Sequence, residues 1–183
     1  MKKLIILTGD LATGKTSFSR KLADRYGTQC FNKDYIKEKL ADTIGFANRE
    51  ENLKLSKASI AIMTHIFEEG AKGKGDLILE ANFHKDEIST LYEIAEKNNV
   101  QVLTLLFEAD LKVLYDRFKY RIEHENRHPV HQSAGLKTYE AFEKYILNSR
   151  NDVILPDCLR VDASSFEYQT DEALLSKIDE FMK

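Results

Sequence analysis

The chain has 183 residues, 43% of them hydrophobic and 31% charged, with a formal net charge of −3. That length suits one domain able to bury about 70% of the surface its unfolded form exposes, and the composition excludes disordered and fibrous classes. The mild acidity argues against a broad polyanion-binding surface, so nucleic acid is a disfavoured partner, although a local basic patch stays open. Two prolines and eight glycines leave little room for a linker. Cys30 and Cys158 are too few for a disulfide framework or a zinc site and read as small buried hydrophobes. Leu4 to Leu7 is too short an apolar run for a signal-peptide core or a membrane span. The expected address is the cytoplasm, with no membrane association; oligomeric state is not readable.

In chain order, Lys3 to Thr8 reads as a buried strand, and directly after it Gly9 to Thr16, GDLATGKT, fits the phosphate-binding pattern G-x-x-x-x-G-K-[ST]. Gly9 and Gly14 permit backbone geometry that a side chain would block, so the amides of Asp10, Leu11, Ala12 and Thr13 can face inward and, with the following helix N-terminus, form an anion site. Lys15 is expected to reach the β- and γ-phosphates of a nucleoside triphosphate and Thr16 to ligate Mg²⁺, with Ser17 completing the nucleotide-binding set. A helix follows over Thr16 to Tyr26, closed by Gly27. The next strand is Thr28 to Asn32. Asp34 then sits at an N-cap position, ahead of a short helix over Tyr35 to Ala41.

Asn48 to Lys72 carries Leu55, Ala58, Ile62, Ile66 and Phe67 along one helical face. Asp76 to Glu80 is a third strand, Lys85 to Asn98 a helix and Gln101 to Phe107 a fourth strand. Helices over Leu111 to Glu125 and Leu136 to Asn148 precede a fifth strand, Cys158 to Asp162, and a last helix, Thr170 to Lys183. Strands alternating with helices predict a five-stranded parallel sheet in a three-layer α/β domain over residues 1–183. The almost continuously apolar LIIL, LILE and VLTLLF fit strands covered on both faces. Met63 and the tyrosines at helical spacing read as packing.

Ligands in such sheets bind at the carboxyl ends of strands. Asp34, just past the second strand, is placed to remove the proton of a hydroxyl acceptor, or simply to cap its helix; both readings stay open on the residues alone. Glu80 ends the third strand where a carboxylate holds Mg²⁺ through water or orients the acceptor. Asn82 reads as turn chemistry and His84 has no assigned role. In DRFKYRIEHENRHPVH, Arg117 and Arg121 are four residues apart on one helix and Arg127 follows, so three fixed cations approach one region. A lid over about residues 112–135 would bring them over a transferring phosphoryl group, unless they only pair with Glu123 and Glu125 on a solvated face. His124, His128 and His131 lack a convincing ligand pattern for zinc. Ser164 and Ser165 fall where such sheets often meet the nucleotide base.

Together these residues resemble the small P-loop kinases that include ATP-dependent kinases of that type, chloramphenicol phosphotransferase, zeta-toxin kinases and the kinase domain of polynucleotide kinase. The resemblance spans nearly the whole chain and rests most on GDLATGKT, the KD of FNKDYIKEKL and the segment ending RHPVH. It implies a nucleoside-kinase-like fold with a helical lid, ATP and Mg²⁺ as cofactors, Asp34 as general base or acceptor anchor, and Arg117, Arg121 and Arg127 as lid arginines. Where polynucleotide kinases of this type carry an arginine shortly after the catalytic aspartate, this chain has Lys37, which cannot form a bidentate clamp. The expected activity is transfer of the γ-phosphate of ATP to a hydroxyl of a small molecule. The alternatives are a polynucleotide 5′-hydroxyl kinase, a zeta-toxin-like sugar-nucleotide kinase, and a nucleotide-gated ATPase switch.

Overall fold

Residues 2–183 are described by a computed structural model, apart from Lys137, Val153, Ile154 and Pro156, and with the backbone only for Gln132, Ser133 and Ala134. Five parallel strands, β1 (Lys3–Gly9), β2 (Gln29–Asn32), β3 (Leu77–Glu80), β4 (Gln101–Glu108) and β5 (Leu159–Asp162), form one sheet in the order β2-β3-β1-β4-β5. Seven α-helices lie among the described residues: α1 (Lys15–Tyr26), α2 (Lys33–Ile44), α3 (Arg49–Lys72), α4 (Lys85–Lys97), α5 (Leu111–His124), α6 (Tyr139–Asp152) and α7 (Glu172–Met182). The fold is the three-layer α/β arrangement expected from the alternation of strands and helices.

Central β1 explains the layering. Leu4, Ile5, Ile6 and Leu7 are all fully buried, and because successive side chains point to opposite faces, they feed two cores. Ile5 and Leu7 join Phe18, Leu22, Leu114, Phe142 and Ile178 on the face covered by α1, α5, α6 and α7. Leu4 and Ile6 join Met63, Phe67, Ile88 and Leu91 on the face covered by α3 and α4. Each such burial contributes about 1.5–3 kcal/mol, which a polar residue at any of these four positions would forfeit.

Three sequence expectations shift. Asn32, not Asp34, caps α2: its side chain accepts the Tyr35 amide at 3.0 Å, and the helix starts at Lys33. The helix expected over residues 136–148 runs instead from Tyr139 to Asp152; Lys137, within the expected span, lies outside the described residues. The chain between α5 and α6 holds a 3-10 helix, Pro129–Ala134, begun by the only proline there. Cys158 immediately precedes β5 rather than lying in it, and both cysteines are half-buried free thiols.

The first and last helices are fastened together by Asp179, which accepts two hydrogen bonds from Arg25, at 2.8 and 2.6 Å, and one from Tyr26 at 2.7 Å. These donors hold its carboxyl down at about 2 against an ordinary 3.8, and loss of hydration pushes the Tyr26 phenol up to about 12. A depressed carboxyl contributes stability that is present above its unfolded value and lost as pH falls through its folded one. Asp179→Asn should therefore lower the melting temperature by a constant amount between about pH 5 and 7, with the difference shrinking toward about pH 2. Parallel melting curves for the two proteins down to the lowest pH would contradict this linkage.

Candidate active site

At the carboxyl end of β1 the chain makes the tight turn the motif demands. Gly9 has φ +108° and Gly14 φ +88°. A Cβ on Gly9 would lie 2.2 Å from the Phe107 carbonyl oxygen, and one on Gly14 would lie 2.7 Å from the Tyr168 hydroxyl. Below the loop, Phe18, Phe107 and Tyr168 pack edge to face with centroids 5.3–6.0 Å apart. Tyr168 donates its hydroxyl hydrogen to the Thr13 carbonyl at 2.9 Å. The loop is thus seated on an aromatic platform, one of whose three rings, Tyr168, comes from the far end of the sequence.

Lys15, 5% exposed, folds its ammonium onto the Asp10 carbonyl and lies 3.3 Å from both the Gly9 carbonyl and Thr13 Oγ1. Burial lowers its pKa, opposed by the charges of Glu80, Asp10 and Asp34. Glu80 is equally buried at the end of β3. It accepts from Thr16 Oγ1 at 3.0 Å and from the Asn32 amide, and burial raises its pKa against the pull of Lys15. Lys15 and Glu80 are coupled through space, but no ion pair joins them among the described residues. The hydroxyl of Thr16 and the carboxylate of Glu80 give adjacent hard oxygen donors, a set that suits Mg²⁺.

Asp34 lies in the first turn of α2 with its side chain exposed. With capping carried by Asn32, its carboxylate is released from that task. Its charge acts on Lys15, Glu80, Lys37, Arg127, His131 and Tyr145, so α1, α2, β3, α6 and the segment after α5 all turn toward it.

The three arginines do not gather at one point, which corrects the sequence expectation. Arg121 and Arg127 face the Lys15–Asp34 region: the Arg121 charge depresses Lys15, and burial followed by Arg121 lowers Arg127. Arg121 also pairs with Glu125 at 3.0 Å, as the solvated-helix reading expected. Arg117 turns to the loop after β5. It donates to the carbonyls of Ala163 at 2.6 Å and Ser164 at 2.9 Å and lies 4.0 Å over the Phe166 ring. Arg117 and Arg121 share a helix face, and what separates them is the carbonyls and ring that the loop after β5 offers Arg117.

Other polar residues weighed in the sequence bond within the protein. Ser17 donates to the Gly14 carbonyl at 2.8 Å. His84 caps α4 and meets Asp152 at 2.7 Å, while Asn82 lies in a small cleft beside Asp10. His124 bonds the Tyr120 carbonyl at 3.0 Å. His128 and His131 meet Asp42 at 3.0 Å and Glu38 at 2.9 Å, so the 3-10 helix is docked along α2. Ser164 accepts the Asp110 amide at 3.0 Å, beside the start of α5.

Sequence reading missed two features. Lys37 is buried and donates to Asn52 Oδ1 at 2.7 Å, while Asn52 donates to the Val130 carbonyl at 2.8 Å, joining α2, α3 and the 3-10 helix. The Asp10 carboxylate, 2% exposed, receives Arg150 Nη2 at 2.6 Å and the Ala109 amide at 3.2 Å. Its place in the phosphate loop is therefore through its backbone. A carboxylate at the second position of the loop was the available signal, but nothing local marks a partner 140 residues away.

Residues 4–144 match a family model described as AAA domain. The chain belongs to the AAA domain family. Among solved structures, a candidate kinase from Chloroflexus aurantiacus is 27% identical, with TM-score 0.83 over 100% of this chain and 98% of that one. A gluconokinase from Sinorhizobium meliloti (13% identity, TM-score 0.63, 98% and 93% covered) and a shikimate kinase from Bacteroides thetaiotaomicron (18%, 0.63, 98% and 98%) share the fold. Searching the curated proteins returns no match. These matches make the fold that of the P-loop kinases. No helix among the described residues is long and apolar enough to cross a membrane.

Arg150→Met should strand the Asp10 carboxylate and cost about 3 kcal/mol, the range for breaking a buried pair. Combining it with Asp10→Asn, which keeps an acceptor for the Ala109 amide but removes the charge, should recover part of that loss in chemical denaturation. A double variant no more stable than Arg150→Met alone would contradict the pairing.

Proposed function

We propose that the protein is a cytoplasmic ATP-dependent kinase that transfers the γ-phosphate of ATP, with Mg²⁺, to a hydroxyl of a small-molecule acceptor. The observation that carries this reading is Asp34, exposed at a helix start, freed from capping by Asn32, and coupled by charge to the phosphate-loop lysine. A capping aspartate would have its oxygens occupied by amides. This one is directed to solvent, beside the cations that accompany phosphoryl transfer.

In this reading the amides of residues Leu11 to Gly14 hold the triphosphate, the Asp10 amide expected among them being already bonded to the Phe107 carbonyl at 2.8 Å, and Lys15 leaves its loop carbonyls for the β- and γ-phosphates. Thr16 and Glu80 would hold Mg²⁺, which would supply charge neutralisation for the transferring phosphate. Asp34 accepts the hydroxyl proton of the acceptor as its oxygen bonds to the γ-phosphorus, and the bond from that phosphorus to the β-bridging oxygen breaks to release ADP. Arg121 and Arg127 stabilise the charge that spreads over the transferred group, within a lid over about residues 112–135. Arg117 serves the base instead, since it lies with Phe166 and the carbonyls of Ala163 and Ser164. The buried bonding of Lys37 to Asn52 argues against a polynucleotide acceptor, because the side chain in the place of the acceptor-binding arginine is already committed.

A metabolite pool incubated with the protein, ATP and Mg²⁺ should yield, by mass spectrometry, one species heavier by a phosphoryl group. With that acceptor, Asp34→Asn should keep ATP affinity while turnover falls about 10²–10⁴-fold. Ordinary turnover in the variant would remove Asp34 from the base role.

A further inference from the structure

Asn32 uses both ends of its amide. It is the last residue of β2 and is 8% exposed. Its Oδ1 accepts the Tyr35 backbone N–H at 3.0 Å, capping the helix that carries Asp34. Its Nδ2 donates to Glu80 Oε2 and lies 3.5 Å from Thr16 Oγ1. Asn32 and Glu80 are also register partners across β2 and β3, so the contact is built into the sheet.

The two ends of a planar amide point apart. Once the carbonyl faces the helix amide, the NH₂ group must face the carboxylate. Serine, threonine and aspartate cap helices about as well as asparagine, so the cap alone does not require an amide here. The single oxygen of serine or threonine cannot span both partners, and aspartate would set a second carboxylate directly against that of buried Glu80 with no hydrogen to donate to it. Only the amide serves the helix start and the buried carboxylate together without adding charge.

We infer that Asn32 is a positioning residue: it holds the Glu80 carboxylate against the Thr16 hydroxyl and ties that pair to the first turn of α2, where Asp34 stands. This inference rests on the kinase reading and assigns Asn32 no contact with substrate. Residues that orient a metal-binding carboxylate typically control metal affinity about 10–100-fold, so the effect of Asn32 should be read in the magnesium dependence of nucleotide binding.

The test compares Asn32→Ser and Asn32→Thr, which keep a capping oxygen, with Asn32→Ala, which does not. ATP affinity is measured by calorimetry in Mg²⁺ and in EDTA, beside the melting temperature. The expected result is that serine and threonine melt near the wild type and bind ATP in EDTA as it does, yet lose about tenfold or more of the affinity gained with Mg²⁺. The alanine variant should lose the same gain and also melt earlier. Serine and threonine variants with the full magnesium-dependent gain would reduce Asn32 to a helix cap and overturn the inference alone. Early melting of both would overturn it too, by making the amide structural. A wild-type protein with no magnesium-dependent gain would instead overturn the kinase reading, and the inference with it.

Discussion

Everything at the carboxyl edge of the sheet depends on how closely the backbone of Gly9 approaches β4, where a Cβ would sit 2.2 Å from the Phe107 carbonyl oxygen. That oxygen instead accepts the Asp10 amide at 2.8 Å, which turns the chain out of the sheet and starts the phosphate loop. A side chain at Gly9 would push the loop away from β4 or force the strand pair apart, because both colliding groups are backbone. From this turn follow the direction of the Asp10 carboxylate into its bond with Arg150, the seat of Thr13 on Tyr168, and the burial of Lys15.

Burial then sets the electrostatics. Lys15 and Glu80 have both lost water, which lowers the pKa of the ammonium and raises that of the carboxyl. Each is stabilised by the charge of the other without contact, and the Lys15 ammonium is held meanwhile by loop carbonyls. Such a pair is poorly solvated and poorly neutralised on its own, and is suited to a ligand that carries both negative charge and a cation. Asp34 adds a third charge on the open side, and Arg121 and Arg127 add two more of opposite sign.

Local sequence patterns made much of this legible. The strands β1, β3 and β4 were readable because near-continuous apolar runs ended in polar residues, β2 and β5 because they alternate with helical patterns, and the phosphate loop because its glycines, lysine and threonine fall within eight residues. The cap of α2 was misplaced by two residues, since asparagine and aspartate are both good caps and only the hydrogen bond from Tyr35 to Asn32 decides between them. The separation of Arg117 from Arg121 and Arg127 was hidden because it depends on the loop after β5, more than forty residues downstream. The bond between Asp10 and Arg150, and the junction of Lys37, Asn52 and Val130, join distant elements and leave no periodicity to read.

The central claim is that the turn after β1 grips a triphosphate, with Lys15 neutralising it. The most direct measurement is calorimetric titration of wild-type protein and Lys15→Ala with ATP in Mg²⁺. The account predicts saturable binding by the wild type and a loss of about 1.5–3 kcal/mol in the variant, the range for hydrogen bonds to charged groups. Equal affinity in the two proteins, or no binding by either, would contradict it.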